Sequence, residues 1–135
     1  MNRFPLKGFS LIELLIALAI VAILAAITVP SFSGLVAKSR RSDAMAALLD
    51  VQLAQERWRA LNFRYAPTLA RLGWASPDSP DGYYQLRINS VDDDGFVATA
   101  RPVGVQQSDS CGVFAVDEQG PRYHEGFADE GCWRR

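Results

Sequence analysis

From Leu14 to Ala37 the chain carries no charged side chain, and Glu13 is the one charge between Gly8 and Lys38. Phe9–Val29 reads FSLIELLIALAIVAILAAITV. As a helix at the usual rise, this run is about 30 Å long, the thickness of a bilayer's hydrocarbon core. A secretory signal peptide has a shorter apolar region, about 7–15 residues, ending at a small-residue cleavage site. Ala17–Ala19 mimics such a site, but here the run is longer and no polar break follows it. A plain membrane anchor explains the length. It also explains the basic flank MNRFPLKG, whose Arg3 and Lys7 predict a cytoplasmic start. It does not explain Glu13.

A carboxylate in apolar surroundings costs about 2.5–3.5 kcal/mol on insertion scales, and such residues are usually paired. A cut after Gly8 would make Phe9 the N-terminus. Its amine would then lie one helical turn from Glu13, as a partner in the same chain or in a neighbour. A glutamate that snorkels to the membrane surface is the plainer reading of the same residue.

After Lys38 the sequence reads as one soluble domain, within a total of 135 residues. The net charge is −1, and loss of Arg3 and Lys7 with a leader would make it more negative. No polybasic tract offers a run of phosphate contacts. The two cysteines, Cys111 and Cys132, are not in a C-x-x-C arrangement. In an exported chain an even count reads as a disulfide, with two free thiols as the alternative. Closing such a loop would stabilise the fold by about 3 kcal/mol in the loop-entropy model.

Pro30 has no N–H for the carbonyl of Ala26, and Gly34 adds a second weak point. Helical patterning resumes at once, so a kink in a longer helix is expected rather than its end. Ala44, Leu48, Val51, Gln55 and Trp58 share a face with Leu49 and Leu53 beside them. Lys38, Arg40, Arg41, Asp43, Asp50 and Arg57 are expected elsewhere. A turn begins near Asn62, and Phe63–Trp74 reads as a loop with one helical turn. Strands are expected at Tyr83–Asn89, Phe96–Arg101, Gly112–Val116 and near Arg122–His124, with Asp92–Gly95 and EQG as turns. The fold class is α+β: a long helix packed on an antiparallel sheet of about four strands. Core candidates are Leu49, Leu53, Trp58, Leu86, Ile88, Phe96, Val97 and Phe114.

GFSLIELLIALAIVAILAAITVPSF, Gly8–Phe32, resembles the N-terminal signature of type IV pilins. The short basic leader, Gly8-Phe9, Glu13, the apolar run and Pro30 occur in register, with Ser10 where threonine is frequent. QERWRALNFRYAPTLARLG, DSCGVFAVDEQGPR and GCW further resemble minor pilins of the PilE type. The resemblance implies a leader of residues 1–8 removed by a prepilin peptidase after Gly8, and N-methylation of Phe9. It implies a transmembrane and filament-core helix over residues 9–30 that kinks at Pro30 and Gly34. Residues 31–135 would form a periplasmic head in which a disulfide between Cys111 and Cys132 pins the C-terminal loop. Glu13 would guide docking by pairing with the amine of an adjacent subunit. The implied partners are major and minor pilins, the peptidase, the inner-membrane assembly platform and inner-membrane lipid. The implied destination is a pilus on the cell surface that serves biogenesis, twitching motility or adhesion. A pseudopilin of type II secretion and a competence pilin that binds DNA are the alternatives.

No catalytic constellation, metal site or cofactor motif is expected. His124 is the only histidine, without a second for a metal pair. Asp92, Asp93 and Asp94 offer oxygen ligands for calcium but lack EF-hand spacing, and read as a solvated hairpin tip. Trp133, Arg134 and Arg135 combine an aromatic with cations in the manner of a small DNA contact, and read better as a solvated tail.

Overall fold

The computed structural model describes residues 8–134. Of the expected leader only Gly8 falls within that range, and Arg135 lies outside it. The chain divides into two compact units, one ending at Leu35 and the other starting at Val36. Helix α1 (Leu11–Asn62) runs through both.

In the first unit, leucine, isoleucine, valine and alanine form helix because a single apolar segment must satisfy its own backbone. The Leu14 N–H donates to the Ser10 carbonyl at 3.2 Å and closes the first turn. The Thr28 hydroxyl donates back to the Leu24 carbonyl at 3.0 Å, so its polar atom is satisfied within the helix. Helix is assigned without interruption across Pro30 and Gly34.

The second unit holds the core. Ala44, Ala47, Leu48, Val51 and Gln55 of α1 are fully buried, at the spacing of one helix face. Leu49 and Leu53, both expected in the core, are each 50% exposed. They sit one residue and two residues past the buried positions Leu48 and Val51, so the turn of the helix carries them off that face. Trp58 is half-buried. Arg41 and Asp43 depart in the other direction. Expected to point away from the core, they turn inward, and Asp43 is buried.

Strands β1 (Tyr84–Val91), β2 (Phe96–Pro102), β3 (Phe114–Asp117) and β4 (Gly120–Pro121) form one sheet in that order. Every pairing is antiparallel, as expected for an α+β head. Alternation sends Tyr84, Leu86, Phe96, Ala98, Ala100, Phe114 and Val116 into the core. Val97, expected in the core beside Phe96, faces the other side and is only half-buried, because successive strand residues point to opposite faces. A register shift lies between Ile88 and Ser90, where Ile88 is partly buried against the core.

The fourth strand lies two residues earlier than expected, at Gly120–Pro121 rather than near Arg122–His124. The Asp117 carboxylate accepts from the Gln119 and Gly120 N–H groups at 2.9 and 3.2 Å, closing the turn at once. Pairing therefore restarts directly at Gly120. In the β1–β2 turn Asp92 does the same for Asp94 and Gly95, at 3.1 and 2.6 Å. A Cβ on Gly95 would come within 2.7 Å of the Glu118 carboxylate, the flexible end of a side chain, so the two turns lie close together here. Short 3-10 segments occupy Leu69–Leu72 and Gly104–Ser108. Helix α2 (Glu130–Trp133) lies near the C-terminus.

Candidate functional site

The first unit is an apolar surface. Phe9 is 77% exposed, and the large side chains from Leu11 to Ile27 are all more than half exposed. The apolar window long enough to cross a membrane has no buried share. Such a surface is not stable in water and requires lipid or other protein around it. Glu13 stands in the first turn of α1, where backbone N–H groups lack intrahelical acceptors and the helix dipole favours an anion. Gly8 and Phe9 precede the helix, and Gly8 is exposed. A Cβ on Gly34 would meet nothing within 4 Å, so packing within the chain does not demand glycine there.

In the second unit, polar side chains tie loops to α1. Arg41 donates two hydrogen bonds to Asp109, from Nε at 2.8 Å and from Nη2 at 2.6 Å. The hydrogen bond to Asp109 holds the guanidinium pKa above its ordinary value, against the opposing effect of burial. Fully buried Gln106 donates to the Ala37 carbonyl and to the Tyr84 hydroxyl, both at 3.0 Å. Asp43 accepts from the Ser79 hydroxyl and from the Asp81 and Tyr83 N–H groups. Gln55 clamps the Ala66 backbone, accepting from its N–H at 2.7 Å and donating to its carbonyl at 2.9 Å. Of these anchors the sequence pattern places only Gln55 on the inward face. Arg41 and Asp109 are 68 residues apart, and polar residues of this kind normally signal a surface.

Cys111 and Cys132 form a disulfide, with Cα atoms 5.8 Å apart. It ties α2 to the segment ahead of β3. Trp133 packs edge-on against Phe114, with ring centroids 5.4 Å apart, and against Tyr123 at 6.5 Å. The ring imagined as a DNA-stacking tip is thus half-buried beside the core. Arg134 pairs with Glu130 at 2.6 Å. His124 is exposed. Among the described residues no group of three His, Cys, Asp or Glu side chains could hold a metal ion.

Two grooves mark the surface of the second unit. One lies where α1 ends, with Trp58, Arg64, Tyr65 and Arg71 facing Asp92 and Asp93. The other crosses the outer face of the sheet between Pro77 and Phe127.

A family model for the prokaryotic N-terminal methylation motif matches residues 6–29. A second model, described as type IV minor pilin ComP, DNA uptake sequence receptor, matches residues 30–115, more than half of the chain. The chain belongs to this type IV pilin family. The Myxococcus xanthus (strain DK1622) type IV major pilin protein PilA is 39% identical over 69 residues, which are 51% of this pilin and 31% of that relative. The Eikenella corrodens fimbrial protein EcpC is 55% identical over 38 residues, 28% of this pilin and 25% of that protein. In these matches the pilin spans about a third and a quarter of its relatives' own lengths. The solved Neisseria meningitidis non-core minor pilin PilV superposes with a TM-score of 0.51 at 16% identity, covering 70% of this pilin and 97% of that chain. That likeness is one of fold.

Proposed function

We propose that this pilin is a minor structural subunit of a type IV pilus that assembles through its N-terminal helix. One observation carries the reading: an apolar helical surface with no buried share, bearing one carboxylate in its first turn, directly after Gly8-Phe9 within a matched methylation motif. Prepilin peptidase cuts after Gly8, and the new amine on Phe9 is methylated. Residues 9–30 wait in the inner membrane, with the head of residues 31–135 in the periplasm. The assembly platform then transfers the helix from lipid to a core of like helices, where apolar packing is kept and Glu13 pairs with a neighbour's amine. Pro30 and Gly34 form the weak point at which the helix kinks during that transfer. No step needs a covalent reaction by the head itself.

Mass analysis of the N-terminus of protein from sheared pili tests this directly. A methylated Phe9 start is the expected result. An intact Met1, or a cut near Ala25 and Ala26, would overturn the proposal.

A second reading, capture of DNA by the head, is favoured by the description of the matching family model. The groove at the end of α1 brings Arg64 and Arg71 together with the half-buried Trp58, cations and a ring in the combination that suits nucleic acid. Salt-sensitive DNA binding that Arg64→Ala and Arg71→Ala weaken would favour this reading.

A further inference from the structure

We infer that the outer face of the sheet is a binding groove for an acidic carbohydrate, a sugar chain bearing uronate-type carboxylates. The groove is about 680 Å³ and is walled by Pro77 on one side and Phe127 on the other. Its floor is the face of β1 and β2 turned away from α1. The register sets Gln85 opposite Arg101 and Arg87 opposite Thr99. Gln85 and Arg87 therefore stand on one face about 7 Å apart, with Arg101 across the strand pair, and Asn89, at the register shift, lines the same groove.

Charge selects an anion. No carboxylate lines this groove. Among the described residues the ion pairs engage Arg41, Arg122 and Arg134, and neither Arg87 nor Arg101 is in any of them. Neither arginine stacks on a ring either, since those contacts belong to Arg40 and Arg59. Both are exposed. Two guanidinium forks, each shaped to hold a carboxylate through two parallel hydrogen bonds, thus stand at diagonal positions of β1 and β2 without partners. The groove at the end of α1 differs, because Asp92 and Asp93 oppose its arginines.

The remaining lining selects a sugar over a phosphodiester chain. Amide side chains donate and accept at once, which matches hydroxyl groups, and Gln85 and Asn89 supply two of them. Asn89 is held by the Thr99 hydroxyl, which donates to its Oδ1 at 3.2 Å. The half-buried Phe127 ring gives an apolar wall for the C–H face of a sugar ring. Duplex DNA is held through many phosphate contacts, whereas only two cations stand here.

The test is calorimetric titration of the full-length protein in detergent with an oligogalacturonate, a neutral maltooligosaccharide of equal length, and a short DNA duplex. The expected result is binding of the oligogalacturonate alone. Arg87→Ala and Arg101→Ala should each weaken it about tenfold or more, while Arg57→Ala, on the exposed side of α1, leaves it unchanged. Arg87→Gln and Arg101→Gln keep the side chains' bulk and should lose affinity in the same way with unaltered melting temperatures. Absence of oligogalacturonate binding, equal binding of the neutral sugar, unchanged affinity in the double alanine variant, or DNA binding that depends on Arg87 and Arg101 would each overturn the inference.

Discussion

Arg41 and Asp109 meet end to end, Nε to Oδ2 at 2.8 Å and Nη2 to Oδ1 at 2.6 Å, with only 15% and 3% of their side chains exposed. The pair fixes the 3-10 segment before β3 to the middle of α1, and Gln106 adds a further bond to Asp109 at 3.2 Å. Removing one partner leaves the other charge buried without compensation. Arg41→Ala or Asp109→Ala should therefore lower the stability of the head by about 3–5 kcal/mol. The joint replacement Arg41→Ala with Asp109→Ala should cost clearly less than the sum of the single changes. Urea unfolding of the four proteins, read as a double-mutant cycle, checks this. Additive losses would show that the two groups do not act as a pair.

The disulfide between Cys111 and Cys132 closes a loop over a sequence separation of 21 residues that contains β3, β4 and the segment leading to α2. Replacing both cysteines with serine should destabilise the head by about 3 kcal/mol. The loss should be local at first, because Trp133 reaches Phe114 from just beyond the bridge. Hydrogen exchange should show early release of the Ala128 N–H, which donates to the Val113 carbonyl at 2.8 Å, while the β1–β2 ladder stays protected. Uniform loss of protection across the sheet would contradict this order.

Tyr84 is fully buried, and burial pushes its hydroxyl pKa above the ordinary value of 10.0. Tyr65 shifts the same way for the same leading reason. A raised folded-state pKa means that the folded protein holds its proton where the unfolded chain has already lost it. The contribution to stability is thus full below pH 10 and falls as the pH rises through the folded value. Melting temperature should be flat with respect to these groups at neutral pH and decline above pH 10. Tyr84→Phe should make that decline shallower. An unchanged alkaline slope in the variant would show that another group sets it.

The architecture was legible because its signals are periodic. Charge-free patterning up to Ala37 marked the first unit, and Ala44, Leu48, Val51 and Gln55 marked the face of α1 that the sheet covers. The β1–β2 hairpin was legible from alternation around a run of aspartates and a glycine. The phase of a pattern is harder to read than its period. Leu49, Leu53 and Val97 are apolar residues one step off the buried face, and only the partner element decides which step is inside. Of the anchors of the head only Gln55 was legible as a buried position, and none was legible as a polar contact. Asp43, Gln55 and Gln106 are buried because each meets backbone or side-chain partners contributed by distant segments. No window of sequence contains both halves of such a contact. The sheet-face groove is hidden for the same reason, since Arg87 and Phe127 line it together from distant parts of the chain.

Glu13 is the residue on which the assembly mechanism depends. It lies in the first turn of α1, within the first unit. Glu13→Gln keeps the side chain's shape and removes its charge. The head of this variant should melt at the wild-type temperature, because the anchors at Arg41, Asp43, Gln55 and Gln106 all join segments of the second unit. Loss of an ion pair in apolar surroundings, worth a few kcal/mol, should lower the fraction recovered in sheared pili by about tenfold or more. The membrane-held pool should rise in proportion, since in the proposed mechanism insertion and the cut after Gly8 do not use Glu13. Immunoblots of sheared and membrane fractions measure both quantities in one experiment. A variant that enters filaments at the wild-type level would show that apolar packing alone drives docking. A variant that fails to accumulate in the membrane would instead place the role of Glu13 before assembly.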